Sequence, residues 1–558
     1  MKPLVICTTL LVEKSPQALP LGAACIASAI KQSELSRELC DVKLTAFSME
    51  DQDCSAASIF RKLIEEKPQI VCFSVFVWNR LLLEEVSQKL REKGIITIAG
   101  GPEITAHPEV FTAFDYTVSG EGEIKVPALV AKLLSGTEDN TKPAKDGHHQ
   151  IEKECQLANA QIDLASLSSP YLDGTIDPAE YGGALWELAR GCPFKCSYCY
   201  ESKGSKTVRL FPMERIRAEL ELFAAKKIPQ VFVLDPTYNA NKERALQILR
   251  LMAQKTPDTF YYFEARAEFI TPELARAFTK IPCAVQIGLQ SANPDVLALV
   301  HRPFNKKNFT KNIAILNREG VIFGFDLIYG LPGETLRGFK DGIDFAISLY
   351  PNNLELFCLS VLPGTDLFDR ASDLHLTFEP QPPYHIIHTD LFSKDDISRA
   401  ASLSAACDLF YNQGRAVPWF NTICHAAKIR PSQFFSQFAD HLNACKAGGT
   451  GNGHLPNLTN LQHPQIEKLQ LDFIKKLFDR TGQQRLFSAA KDLISLNGAL
   501  ARTQESGKSE KVSLSYNAEY LFSEYASDLR FFCQNVRPSP CKIQTFMNGH
   551  ISDFRIVK

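Results

Sequence analysis

Along the first 135 residues, short apolar runs alternate with amphipathic stretches. PLVICTTLLV (3–12) and QIVCFSVFV (69–77) are almost unbroken apolar runs, as strands buried on both faces require. VKLTAF (42–47), IITIAGG (95–101) and YTVSG (116–120) read as further strands. LGAACIASAIKQ (21–32), SIFRKLIEEK (58–67), LEEVSQKLREKG (83–94) and EIKVPALVAKLL (123–134) read as the helices between them. Five strands spaced by helices predict an open parallel α/β sheet covered on both faces. Ligands of such sheets sit beyond the carboxyl ends of the strands, where Gly100-Gly101-Pro102 and Gly120-Glu121-Gly122-Glu123 fall. The polar stretch 136–180 reads as a linker.

A second alternation fills 181–390. Its strands are LWELARG (185–191), QVFVLD (230–235), YYFEARA (261–267), CAVQIGL (283–289), IFGFDLIYG (322–330) and LELFCLS (354–360). Helices are expected from about Met213, Arg244, Pro272, Pro294, Lys307 and Leu336. Six strand–helix units predict a parallel (β/α)6 partial barrel, with its site at the carboxyl ends of the strands. From 391 to 558 the pattern turns mostly helical, as in QIEKLQLDFIKKLFDR (465–480). AGGTGNGHLPNLTN (447–460) reads as a loop, and IQTFMNGHISDF (543–554) as a β-hairpin turning at Asn548-Gly549.

Composition narrows the class. The chain has 558 residues, 45% hydrophobic and 22% charged, which excludes disordered, collagen-like and coiled-coil chains. Lys+Arg 61 against Asp+Glu 63 leaves no basic surplus for nucleic acid, and none is expected as a partner. Sixteen cysteines do not make a disulfide scaffold, because such scaffolds are short secreted chains. Cys7, Cys25, Cys40, Cys54, Cys72, Cys283, Cys407 and Cys424 sit singly and read as small buried hydrophobes. Cys358 reads the same way, with a thiol at the barrel mouth as the alternative. The apolar N-terminal run stops at Glu13-Lys14 with no A-x-A site after it, and Leu21–Ile30 is too short to span a membrane. The expectation is a cytoplasmic protein in a reducing compartment, without a membrane span.

The segment that carries chemistry is ARGCPFKCSYCYESKG (189–204). Cys192, Cys196 and Cys199 form C-x3-C-x2-C in the loop leaving the first barrel strand. Thiolates so spaced can hold three corners of an iron–sulfur cube and leave one iron open. Zinc would need a fourth nearby ligand, and only His148 and His149 in the linker offer one.

With Tyr198 before its last cysteine, this loop resembles the radical S-adenosylmethionine (SAM) superfamily. The likeness continues through LDPTYNANKERA (234–245), FEARAEFIT (263–271), QIGLQSANPDVL (286–297), HRPFN (301–305), GFDLIYGLPGET (324–335) and VLPGTDL (361–367). The order of these motifs, with GGP at 100–102 and GEGE at 120–123 ahead of them, resembles the cobalamin-binding branch. That resemblance implies a Rossmann-like cobalamin-binding domain at 1–135, a radical SAM partial barrel at 181–390, and a C-terminal helical or mixed domain that caps the substrate. It implies a [4Fe-4S] cluster on Cys192, Cys196 and Cys199, SAM on its open iron, and cobalamin. SAM would be bordered by Tyr198, Asp235, Thr237, Glu264, Arg266, Gln290, Ser291, Ile328 and Gly330. Asp235-Pro236-Thr237 stands where the family usually has Gly-Gly-Glu. Cobalamin would meet Ser74, Trp78, Asn79, Gly100, Gly101, Gly120 and Glu121. Residues 1–106 contain no histidine, so the D-x-H-x-x-G pattern of many cobalamin domains is missing. Either cobalamin binds without a protein imidazole or the domain is vestigial.

The activity implied is reductive SAM cleavage with methyl transfer to an unactivated carbon or phosphorus of a small molecule or peptide. The electron would come from an external donor such as flavodoxin or ferredoxin. The alternatives are a radical cyclase or rearrangement enzyme, and a non-catalytic iron–sulfur or corrinoid-sensing protein.

Overall fold

The computed structural model describes residues 2–136, 149–150, 162–202, 207–447, 461–549 and 551–557. The N-terminal elements are β1 (Leu4–Leu11), α1 (Leu21–Gln32), β2 (Asp41–Ser48), α2 (Ala56–Glu65), β3 (Ile70–Ser74), α3 (Arg80–Arg91), β4 (Ile96–Gly100), α4 (Pro102–Ala106), β5 (Tyr116–Val118), α5 (Gly122–Ser135) and β6 (His149–Gln150). The sheet is parallel throughout, in the order β2-β1-β3-β4-β5-β6. Strand order reverses between β1 and β3, which opens a crevice beyond their carboxyl ends. Alternate side chains fill two cores: Ile6, Leu10, Val71 and Phe73 under α2 and α3, and Val5, Cys7, Ile70 and Cys72 under α1 and α5. Cys7 and Cys72 are register partners in that second core.

The stretch expected as a linker is structured wherever it is described. β6 pairs Tyr116 with His149. Tyr171 and Ile176 are buried in the barrel's core, and the Tyr171 hydroxyl donates to the Leu185 carbonyl at 2.6 Å. Polar composition hid these few anchoring residues.

The barrel runs β7 (Ala184–Trp186), β8 (Ala189–Arg190), β9 (Arg209–Leu210), α6 (Met213–Ala225), β10 (Gln230–Val233), α7 (Lys242–Lys255), β11 (Phe260–Ala265), α8 (Pro272–Phe278), β12 (Cys283–Gln290), α9 (Pro294–Leu299), α10 (Lys306–Glu319), β13 (Ile322–Tyr329), α11 (Leu336–Ser348) and β14 (Asn353–Cys358). Six strands lie parallel in the order β14-β13-β12-β11-β10-β7, an open barrel as expected. LWELARG does not form one strand: it breaks at Glu187-Leu188, and β8 pairs antiparallel with β9 as a short arm beside the site. Asn241, Thr271, Asn293, Asn305 and Thr335 cap helices at the carboxyl-end loops.

An open barrel leaves a strand edge that must be covered. After α12 (Asp366–Asp369), β15 (Thr377–Phe378) and β16 (Ile386–His388), α13 (Lys394–Cys407) and the π-helical turn Asp408–Gln413 lie on β14. The Asn412 side chain accepts from Leu354 N and donates to Leu354 O, and Ser404 Oγ donates to Leu356 O at 2.6 Å. The C-terminal unit therefore seals the barrel's open edge, and its core is continuous with the barrel's, from Phe410, Trp419 and Phe434 to Phe473 and Ile494. Its remaining elements are α14 (Phe420–Ala427), α15 (Pro431–Ala447), α16 (His463–Arg480), α17 (Phe487–Ser506), β17 (Lys511–Leu514), α18 (Ala518–Leu521), α19 (Leu529–Asn535), β18 (Cys541–Asn548) and β19 (Ile551–Val557). The expected hairpin gains a third strand, β17, and Asn548 ends β18 opposite Ile551, so the turn lies one residue later than expected. The loop read at 447–460 falls, beyond Ala447, outside the described residues.

Candidate active site between the barrel and the N-terminal sheet

C-x3-C-x2-C leaves the β8 arm through Gly191, whose φ of +93° favours glycine. Cys196 is buried, and Cys192 and Cys199 are half-buried. The loop is held from three sides. Ser197 N donates to Val300 O at 3.0 Å, while Ser197 O accepts from Leu367 N at 2.8 Å. Arg302 reaches Cys196 Sγ with Nη1 at 3.7 Å and donates Nη2 to the Gly288 carbonyl. The Phe194 ring lies under the Arg266 guanidinium at 3.7 Å.

Burial raises the Cys199 thiol to about 11, so it would have to lose its proton to serve as a metal ligand. Among the described residues, no three His, Cys, Asp or Glu side chains converge closely enough for a single metal ion. Ligands of a cube bind separate irons and stand farther apart. The donor set of three thiols with no fourth ligand fits a cube with one open iron. His148, one of the two zinc alternatives, lies outside the described residues.

Above β12, β13 and β14 a cavity of about 250 Å³ is lined by Tyr198, Gln290, Asp326, Ile328, Phe357, Cys358, Leu359 and Ser360. Gln290 sits on a bulge in β12 at a φ of +68°, and its buried Oε1 has no hydrogen-bond partner. A bulge re-aims a side chain, and a residue lining a cavity with an unpartnered acceptor is where a ligand donor fits. Burial pushes Asp326 up to about 6, against a hydrogen bond from Gln286. Glu264 opens onto the barrel lumen, yet surrounding protein and then the Asp326 carboxylate raise it to about 7.

The other expected SAM residues are placed as follows. Asp235 accepts from Leu188 N and Ala189 N at 2.9 and 3.0 Å, pinning the break between β7 and β8. Burial raises it to about 7. Thr237 Oγ1 lies 3.9 Å from Cys192 Sγ. Arg266 is buried and ion-paired with Glu268, so Glu264 and Arg266 do not pair with each other. Ser291 donates to Glu334 at 2.6 Å. Gly330, with a φ of +84°, packs where a Cβ would lie 2.5 Å from Ile386.

The carboxyl edge of the N-terminal sheet meets this loop directly. Glu121 accepts from Arg209 Nη1 at 2.9 Å and Arg190 Nη1 at 3.3 Å, and Glu123 accepts from Arg190 Nη2 at 2.7 Å. The Tyr200 hydroxyl bonds to Thr105, and Tyr384 donates to Glu103 at 2.8 Å while accepting from Arg80. Glu121 and Glu123 of GEGE thus dock the two domains, in part through Arg190, two residues before Cys192. Gly101 (φ +110°) lets α4 start against β3, since a Cβ would stand 2.6 Å from Val75 O. The Gly120 amide donates to Thr105 Oγ1 at 2.9 Å.

At the strand-order reversal, Asn79 is fully buried and ties Thr9, Leu10, Ser74 and Phe76 together. Its polar atoms are spent on that knot, beside the buried Ser74. Trp78 differs: the residue is 48% exposed, although Nε1 donates to Leu10 O and the ring stacks on Phe76 at 4.5 Å. An aromatic face fixed from behind and left open, over the crevice, fits a broad planar ligand such as a corrin.

Sequence reasoning missed Arg302, Arg190 and Tyr384 as site residues. The first two lie inside quoted motifs, but only the fold shows their partners, Cys196 at 106 residues away and Glu123 at 67.

Comparison with known proteins agrees with this arrangement. Residues 9–130 match the B12 binding domain, 186–346 the radical SAM superfamily, and 373–454 a protein family of unknown function (DUF4080). The chain is 28% identical over 328 residues to the cobalamin-dependent radical SAM methyltransferase TokK of Streptomyces tokunonensis, covering 54% of this chain and 48% of that protein. It is 29% identical over 305 residues to the 2-(S-pantetheinyl)-carbapenam-3-carboxylate methyltransferase of Streptantibioticus cattleyicolor, covering 50% and 44%. The chain thus spans about half the length of these relatives. The fold is similar to that of OxsB, a cobalamin-dependent SAM radical enzyme solved with aqua-cobalamin bound (TM-score 0.58, 14% identity, 86% of this chain and 80% of that one). Among the described residues no helix is long and apolar enough to cross a membrane. Residues 186–346 are thus similar to a radical SAM domain, and residues 9–130 ahead of them to a B12-binding domain.

Proposed function

We propose that the chain is a cobalamin-dependent radical SAM methyltransferase acting on a small molecule or peptide. The observation that carries this reading is the docking of the cysteine loop and its β8–β9 arm onto the carboxyl edge of the B12-binding sheet through Arg190, Arg209 and Tyr200, with Tyr384 adding a contact from the segment before β16. A [4Fe-4S] cluster supplies the electron that cleaves SAM, and a corrin supplies a carrier for the methyl group.

The chain's own residues do the rest. Cys192, Cys196 and Cys199 would hold three irons, while Arg302 and the Val300 and Leu367 backbone fix the loop. Gln290 Oε1 would accept a hydrogen bond from bound SAM, with Tyr198 and Ile328 flanking it. The Trp78–Phe76 face would support the corrin, without an imidazole ligand from residues 2–106. Glu264 and Asp326, raised into the neutral range, would hold a proton at the lumen. An external protein donor of the flavodoxin or ferredoxin kind would deliver electrons, consistent with a reducing cytoplasm and with the absence of disulfides among the described cysteines.

The test is anaerobic incubation of the reconstituted protein with methyl-labelled SAM and a reductant. S-adenosylhomocysteine, with label passing to the corrin fraction, supports methyl transfer. 5′-Deoxyadenosine without it favours a cyclase or rearrangement enzyme, and neither product favours a sensor.

A further inference from the structure

The contact between Arg302 and Cys196 has a consequence for the electron step. Arg302 follows His301, a non-glycine residue at a φ of +56°, and that kink brings the side chain back across the cysteine loop. One guanidinium nitrogen is fixed by the Gly288 carbonyl on β12; another points at Cys196 Sγ at 3.7 Å. Tyr198 lies beside Arg302, whose charge also reaches Glu268, already paired with Arg266, and Asp326 on β13, but whose hydrogen bonds go to Gly288 O and Cys196 Sγ. The cation is therefore directed at the sulfur. Arginine also keeps its charge at any working pH.

We propose that Arg302 is a positioning residue that sets the reduction potential of the iron–sulfur site by donating to the Cys196 thiolate. The proposal rests on the reading of Cys192, Cys196 and Cys199 as cluster ligands. One electron from an external reductant enters the cluster, no bond forms or breaks, and the site gains one negative charge. A fixed cation and an N–H donor at a ligand sulfur favour that reduced form, so they raise the potential. Without them the cluster is harder to reduce. The same side chain also clamps the loop, and the test must separate these roles.

The test is an anaerobic redox titration followed by electron paramagnetic resonance, on reconstituted wild type, Arg302→Lys, Arg302→Gln and Arg302→Met. Iron and sulfide are assayed on each sample. Wild type lacking bound iron and sulfide overturns the cluster reading itself, independently of Arg302. With clusters loaded, Arg302→Met is expected to hold about tenfold less reduced cluster at a fixed potential, or ~59 mV lower for one electron. Arg302→Lys keeps the charge and should fall between wild type and Arg302→Met. If Arg302→Met fails to load, Arg302→Lys against Arg302→Gln decides, since the glutamine keeps a donor without the charge. A lower potential in Arg302→Gln supports the proposal. Equal potentials across the loaded variants overturn it and leave Arg302 as a clamp alone.

Discussion

Arg190→Met removes the guanidinium that joins the B12-binding domain to the barrel. Arg190 is 15% exposed and bonds Glu123 at 2.7 Å, Glu187 at 2.9 Å and Glu121 at 3.3 Å. Taking away one partner of a buried pair costs about 3–5 kcal/mol, because the remaining charges stay buried without compensation. Glu121 and Glu187 are about a quarter exposed, and Arg209 still pairs with Glu121, so solvent and that second cation moderate the loss. The expected destabilisation is about 2–4 kcal/mol. Arg190→Lys, with one ammonium for three carboxylates, should recover about half of it. Urea unfolding followed by tryptophan fluorescence is a suitable assay, because Trp186 is buried at the end of β7, beside this junction. A double-mutant cycle with Glu123→Gln should give a coupling of about 1–2 kcal/mol. An Arg190→Met protein within about 0.5 kcal/mol of wild type would refute the argument that this contact holds the domains together.

Three further outcomes follow from the geometry. Asp235 has a folded pKa near 7 against an ordinary 3.8, so between those values the folded protein holds the extra proton. Its contribution is therefore present below the ordinary carboxylate range and lost as pH rises through about 7. Asp235→Asn keeps the acceptor for Leu188 and Ala189, so its urea midpoint should fall less than wild type's from pH 5 to 8, a difference of about 1–3 kcal/mol; parallel pH curves would sink this reading. Gly101→Ala places a Cβ 2.6 Å from Val75 O at a φ of +110°, and should cost at least about 2 kcal/mol in denaturant unfolding of the B12-binding domain; a neutral substitution contradicts it. Gln290→Leu removes the orphaned acceptor in the cavity, and SAM affinity measured by anaerobic calorimetry should drop about 5–30-fold while unfolding stability changes little; unchanged affinity excludes Gln290 from the SAM site.

What was legible in the sequence was local and periodic. The run at 3–12 became β1, LGAACIASAIKQ became α1 without a change of boundary, and the six barrel strands fell in the order read. Cysteine spacing pointed to the loop because three thiolates on one short segment can hold three corners of a cube. Long-range pairing was not legible. The resemblance put Glu121 and Asn79 beside cobalamin; the fold shows the Glu121 carboxylate also meeting arginines 69 and 88 residues away, and the Asn79 side chain bonded to Thr9, Leu10, Ser74 and Phe76. Nothing local marks α13 as the cover of an exposed edge strand. Among the C-terminal aromatics, Tyr516 and Phe532 are buried whereas Tyr520, Phe522 and Phe531 are exposed, a split that helices this short do not show by periodicity.

The central claim is that the cysteine loop and the Trp78 crevice serve one shared reaction space. Electron paramagnetic resonance of protein carrying both cob(II)alamin and a reduced cluster tests this most directly, since two nearby spins alter each other's line shape and relaxation. The account predicts faster relaxation and broadening of both signals relative to singly loaded samples. Signals that add as two independent spectra in fully loaded protein would contradict it.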